Sequence, residues 1–329
     1  MQQRSRVALV TARAAVGLDR DEPLLIAALR EHGIVAEPVV WDDPGVDWGS
    51  WDLAVVRSSW DYPRRRDAFL AWARRAAREC GLRNAADVIA WNSDKRYLPQ
   101  LAAAGVPTVP SWIFGPGDQV HLPAGEVVVK PAVSAGSQDT ARYRPHEHGP
   151  ARAHAARIQA RGRDVLVQPY LTQVDECGET ALVYLANRYS HAIRKGPILR
   201  GVPETVGGLF AAEDLAVRTP TATEHAVAER ALDALPCDRA GLLYARVDLL
   251  PATDGTALVL EVELVEPSLF LRYCDAAATR FAAAIAAHVP PQHGADRAQG
   301  SWPEARRAFR GTRLRDVSSP SDSGEGDVT

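Results

Sequence analysis

The stretch from residue 242 to 271 restricts this chain more than any other, because it asks a fold to bury acid. Residues 242–251 and 257–271 each read as a buried strand of apolar residues, with Asp248 in the first and Glu261 and Glu263 in the second. A turn at Pro251 to Gly255 makes the two a hairpin. Strand side chains alternate faces, so Glu261 and Glu263 point the same way, and pairing brings Asp248 within reach of both. Carboxylates so close raise one another's pKa or destabilise the fold unless a cation neutralises them. An all-oxygen set of this kind suits Mg²⁺, which keeps several waters and completes its shell with substrate phosphates. The alternative is a solvent-facing row of acids on an antiparallel pair.

Length and charge narrow the classes. At 329 residues the chain is long enough for two domains or one with subdomains, and its net charge of -3 leaves no basic footprint for nucleic acid. Arg64, Arg65 and Arg66, with Arg74 and Arg75, interleave with Phe69, Leu70 and Trp72 at helical spacing, so a solvated helix face is expected there. The scattered cysteines, Cys80, Cys177, Cys237 and Cys274, show no ligand-pair spacing and point to a reduced, cytoplasmic protein. No secretory signal is read before Val7 and no apolar run is long enough to span a bilayer, so no membrane partner is expected.

Along the chain, residues 6–12 read as a strand, 21–32 as a helix, and 34–41 and 52–57 as further strands, the order of a small parallel α/β sheet. Arg57, at a carboxyl end of that sheet, is a candidate for gripping a substrate carboxylate; its rival role is an ion pair with a nearby acid such as Asp61. A short return strand is expected over 84–91, a domain boundary near 91, and a helix capped by Asn92 or Ser93 that ends at Gly105. Residues 126–130 form a strand ending in Lys130, followed by the small-residue loop 131–137, which suits phosphate oxygens but also fits an ordinary hairpin turn. The strand 164–171 cannot stay regular at Pro169, and Asp175, Glu176 and Glu179 follow it. A hairpin over 178–195 ends in Arg194 and Lys195, only one of which can enter a given cleft. His191 reads as an ordinary strand histidine, and the tryptophans as core, with Trp60 a candidate pocket wall. Residues 196–219 read as a mobile loop, 223–235 and 276–289 as helices, and the polar end as disordered.

This series resembles the ATP-grasp superfamily of carboxylate-amine ligases. The resemblance implies an α/β (α+β) fold: a small parallel α/β domain over 1–91, an ATP-grasp lid subdomain over 92–171, a core subdomain with the metal site over 172–290, and a disordered tail over 291–329. By position, Lys95 and Lys130 are similar to the nucleotide lysines, Ser134, Gly136 and Ser137 to the phosphate loop, and Gln168, Pro169, Tyr170 and Leu171 to the adenine linker. Asp175 is similar to the ribose-binding acid, and Asp248, Glu261 and Glu263 to the Mg²⁺ ligands. Glu263 stands where Asn is usual, which implies tighter metal binding or room for a second cation; Mn²⁺ is implied as a substitute. Arg194 or Arg246 would stabilise the transferring phosphoryl group, and Glu266 is left open between metal, substrate and solvent. Residues 57–62, 91–98 and 261–269 most resemble the cyclo-ligases that close O-ureido-D-serine into D-cycloserine in antibiotic biosynthesis. The implied partner is ATP with a small amino-acid-like substrate. An intermolecular ligase forming a dipeptide or amino-acid amide, a non-catalytic nucleotide-binding regulator, and a homo-oligomeric state all stay open.

Overall fold

The structure, a computed structural model, describes residues 4–199, 205–206, 209–211 and 214–289. It opens with β1 (Arg6–Thr11), α1 (Glu22–Glu31), β2 (Val35–Val40), β3 (Leu53–Ser58), α2 (Arg66–Glu79) and β4 (Leu82–Arg83). These strands form a parallel sheet in the order β2-β1-β3-β4. β3 is buried throughout, as a parallel strand covered on both faces must be. Phe69 and Trp72 of α2 pack against Trp41 and Trp48, which leaves the helix's arginines to the outside.

The next segment departs from the sequence reading. The residues that join the sheet, Leu82–Arg83, precede the expected return strand, and most of that stretch is instead a helix, α3 (Ala86–Asn92). It buries Val88, Ile89 and Asn92, spaced for one helical face, and that periodicity prevailed over the apolar run. Asn92 is therefore the last residue of a helix and not a cap. α4 (Tyr97–Ala103) follows, so Lys95 sits in the turn between two helices.

A second sheet is built from β5 (Trp112–Phe114), β6 (Val127–Pro131), β7 (Ala141–Tyr143) and, after α5 (His148–Gln159), β8 (Val165–Pro169). Its order is β5-β8-β6-β7, antiparallel. α5 covers one face with Ala151, Ala155 and Ile158. Pro169 closes β8, where its missing N–H costs no ladder bond, and the chain leaves the sheet there.

After α6 (Val174–Cys177) come β9 (Glu179–Leu185), β10 (Arg188–Lys195), the short pair β11 (Thr205–Val206) and β12 (Phe210–Ala211), and β13 (Leu215–Arg218). α7 (Ala222–Asp233), β14 (Tyr244–Pro251), β15 (Ala257–Glu263) and α8 (Ala277–Ala286) complete the described chain. The large sheet runs β13-β10-β9-β14-β15. The loop expected over 196–219 is thus interrupted by a strand paired to β10; its remainder, 200–204, 207–208 and 212–213, and the tail beyond 289 lie outside the described residues. Ala181, Val183, Leu185 and Ile193 face the first sheet, α1 and α8, while Leu182, Tyr184 and Ala192 face α7.

β15 is an edge strand, yet its outer edge is not bare. Asn92 donates from Nδ2 to the Val262 carbonyl at 2.7 Å and accepts at Oδ1 from the Leu264 N–H at 2.7 Å. Asn84 bridges the Tyr244 and Leu264 carbonyls, the Tyr97 hydroxyl accepts from the Val262 N–H at 3.1 Å, and Val109 and Pro107 bond to Val259. The acid-bearing strand is thereby fixed on both sides. Asn92→Ala leaves two buried backbone groups unpaired and should lower stability by about 2–4 kcal/mol, measured as a shift in the urea unfolding midpoint. An unchanged midpoint would mean that the edge does not depend on this clamp.

Candidate active site

Register decides what meets what. Asp248 lies opposite Glu261, and Arg246 opposite Glu263, across the β14–β15 pair. On the other side β9 lies between β14 and β10, and Glu179 lies opposite Lys195. Gly178, at φ +73 with Lys195 O only 2.5 Å from where a Cβ would stand, is the residue that lets this corner close.

These side chains line one cleft with Lys95 from the α3–α4 turn and Lys130 from β6. Among the described residues its lining carries four cations, Lys95, Lys130, Lys195 and Arg246, and five carboxyls, Glu179, Asp248, Glu261, Glu263 and Glu266. Lys130 Nζ is 2.7 Å from Glu261 Oε1, and Lys95 Nζ is 3.7 Å from the same oxygen. Lys95 also donates to the Ser134 carbonyl at 2.8 Å, which ties the small-residue loop to the acid strand. Lys195 bridges Glu179 at 2.6 Å and Asp248 at 2.7 Å. Arg246 grips both oxygens of Asp248, at 2.8 and 2.9 Å, and reaches Glu263 at 2.5 Å and the Ser268 carbonyl at 3.0 Å.

The charges are not evenly matched. Burial opposes ionisation of Glu261, but Lys130 and Lys95 overcome it and hold this carboxyl well below the usual range. Asp248 is likewise held low by Arg246 and Lys195 against its burial. Glu263 goes the other way, to about 7: burial raises it, Arg246 works against that rise, and the adjacent Asp248 and Glu261 charges add to it. Among the described residues, the carboxyls of the cleft therefore outnumber its cations.

Of the residues named from sequence, Lys95, Lys130, Ser134, Gly136, Ser137, Gln168, Pro169, Tyr170, Leu171, Arg246, Asp248, Glu261 and Glu263 all line the cleft. Asp175 and Arg194 do not. Asp175 accepts from the Tyr170 hydroxyl at 2.7 Å and pairs with Arg142 at 3.2 Å, and so braces the linker from behind. Arg194 shares the strand face of Ala192, towards α7, and donates to the Cys177 carbonyl at 3.0 Å; its neighbour Lys195 enters the cleft. Arg57 is buried against Asp19 at 3.0 Å, so it holds the fold together and is not placed to take a substrate carboxylate; Asp61 instead accepts from Trp41 and Arg65. The metal trio is also divided. Among the described residues no group of three such side chains forms a ready metal cluster; Asp248 is paired with Arg246 and Lys195, Glu261 with Lys130 and Lys95, and Glu263 with Arg246. Mg²⁺ does not need such a cage, since one or two carboxylates with substrate phosphates and water suffice, and the same-face pair Glu261 and Glu263 fits that demand.

Sequence reasoning left out Tyr62, Tyr97 and Ser268, which also line the cleft, and chose Arg194 over Lys195. The parity signal was available: by register Lys195 shares a face with Glu179, but which face meets the cleft is a tertiary matter.

Similarity to known proteins accords with this geometry. Residues 7–84 match the family model described as the D-cycloserine synthetase DcsG N-terminal domain. The chain is 38% identical over 299 residues to the cycloserine biosynthesis protein DcsG of Streptomyces lavendulae, covering 87% of this chain and 99% of that protein. The chain belongs to the DcsG family of ATP-grasp ligases. The crystal structure of D-cycloserine synthetase DcsG superposes with a TM-score of 0.77 at 35% identity, covering 87% of this chain and all of the other. A D-alanine–D-alanine ligase from Bacillus anthracis, at 15% identity, shares the fold with a TM-score of 0.61, covering 87% and 96% of the two chains. Like other DcsG-family members this one has the ATP-grasp fold, here a parallel sheet joined to two antiparallel sheets. Among the described residues of this DcsG-family chain, no helix is long and apolar enough to cross a membrane.

Proposed function

We propose that the protein uses ATP to activate the carboxylate of O-ureido-D-serine and closes it into D-cycloserine. What supports this reading is the convergence of Lys95 and Lys130 on Glu261, two early amines and a late acid at one cleft. In that reading the ion pairs of the free protein are exchanged: the nucleotide phosphates take over Lys95 and Lys130. Glu261 and Glu263 would hold Mg²⁺, which when bound neutralises phosphate charge. Gln168, Pro169, Tyr170 and Leu171 supply the wall and backbone groups for adenine, and Ser134, Gly136 and Ser137 close over phosphate.

The substrate carboxylate attacks the γ-phosphorus, ADP leaves, and an acyl phosphate forms. Such transfers depend on position and charge neutralisation, with no need for a protein nucleophile. Arg246 and Lys195, both paired with Asp248 in the cleft, would stabilise charge on the transferring group and the tetrahedral adduct. The nitrogen bonded to the side-chain oxygen then attacks the acyl carbon, losing its proton as phosphate departs. A five-membered ring results, and water removes the carbamoyl group as carbon dioxide and ammonia.

Incubation with ATP, Mg²⁺ and O-ureido-D-serine should release ADP and phosphate and give D-cycloserine by mass spectrometry. ADP release only when a second amine is added, with both reactants retained in the product, would replace cyclisation by intermolecular ligation.

A further inference from the structure

Glu266 is the one cleft carboxyl that the charge network above does not employ. It is 9% exposed, and its Oε2 is buried without a hydrogen-bond partner among the described residues. An acid in that position normally finds a donor, because leaving it unpaired costs more than a typical hydrogen bond contributes.

The loop that carries it is held still. Trp60 Nε1 donates to the Glu266 carbonyl at 3.3 Å, Arg57 approaches the Pro267 carbonyl at 3.5 Å, and Arg246 donates to the Ser268 carbonyl at 3.0 Å. Three successive carbonyls are thus gripped, one from the segment after β3, one from β3 itself and one from β14. A carboxyl on so fixed a loop has little freedom to turn and find a partner elsewhere. Trp60 and Tyr62 line the cleft beside it, and aromatic walls with one acid suit a small organic cation.

We infer that Glu266 is the specificity residue that receives the α-ammonium of the amino-acid substrate. This rests on the proposed reading of the cleft as a carboxylate-activating site. Burial and the adjacent Glu263 push its pKa well above the ordinary value, the condition of an acid that lacks its counter-charge and gains it with the ligand. The consequence for the reaction is selection among nucleophiles. An amine held as ammonium against Glu266 has no lone pair, so it cannot compete with the ring nitrogen or couple with a second molecule. Ring closure becomes the open route.

Glu266→Gln should raise KM for O-ureido-D-serine roughly 10- to 100-fold, the range for a lost hydrogen bond to a charged group. KM for ATP and the Mg²⁺ requirement should stay within about twofold. The deamino analogue, 3-(ureidooxy)propanoate, should be used equally by wild type and variant, since neither then has an ammonium to hold. Unchanged KM for the amino acid, a loss transferred to ATP or Mg²⁺, or an equal loss with the deamino analogue would each overturn the assignment. If Glu266→Gln does not fold, Glu266→Asp and the wild type carry the test: wild type should prefer the amino acid to its deamino analogue by the same factor, and equal use overturns it. Failure of the proposed reaction is read separately, as absence of wild-type ADP release with O-ureido-D-serine. Calorimetry of small α-amino acids against the ATP-analogue complex, wild type beside Glu266→Gln, then still decides whether Glu266 binds an ammonium.

Discussion

Glu261→Gln should lower kcat by roughly 10³-fold, the scale seen when one preorganised charge or donor is taken from a transition state, while nucleotide still binds. The substitution keeps size and removes charge where Lys130 stands at 2.7 Å and Lys95 at 3.7 Å. Without nucleotide the variant should also be destabilised, because breaking a buried pair by removing one partner costs about 3–5 kcal/mol. A non-hydrolysable ATP analogue should restore much of that, since its phosphates supply the missing negative charge to both lysines, and ligand binding to the folded state adds stability by mass action. Thermal unfolding with and without the analogue, beside ADP release, separates the effects. Turnover within tenfold of wild type would remove Glu261 from the chemistry, and no gain in unfolding temperature with the analogue would remove the lysines from phosphate binding.

Adjacent residues should give opposite results at the end of β10. Lys195→Met should reduce kcat/KM by roughly 10²- to 10³-fold, because its ammonium lies between Glu179 and Asp248 in the cleft. Arg194→Met should leave kcat/KM within about threefold, because its guanidinium meets the Cys177 carbonyl and Asp214 on the other side of the sheet. Steady-state kinetics of the two variants, with urea unfolding as a control, tests the parity argument directly. A catalytic loss in Arg194→Met equal to that in Lys195→Met would show that the strand presents either residue to the substrate during turnover.

Much of the site was readable because period-two alternation is a local property. Glu261 and Glu263 had to share a face, and a turn after Pro251 had to fold their strand back on Asp248, whatever the rest of the molecule did. The misreadings fall where a local signal admits two outcomes. The run after Arg83 became a helix when Val88, Ile89 and Asn92 found one buried side. Arg57 found Asp19, an acid distant in sequence, in preference to a ligand. Asp175 pairs with Tyr170, five residues away, and with Arg142, which the second sheet brings to it.

By itself the sequence determined the strand carrying the acids, the lysine before the small-residue loop, and the break at Pro169, since each follows from residue type and spacing within a short span. Only the tertiary structure decided which acid meets which amine, that Lys195 and not Arg194 faces the cleft, and that Glu266 Oε2 is buried without a hydrogen-bond partner among the described residues. Those outcomes depend on register between strands far apart in the chain and on the sheet face that the cleft adopts, and no short segment contains either.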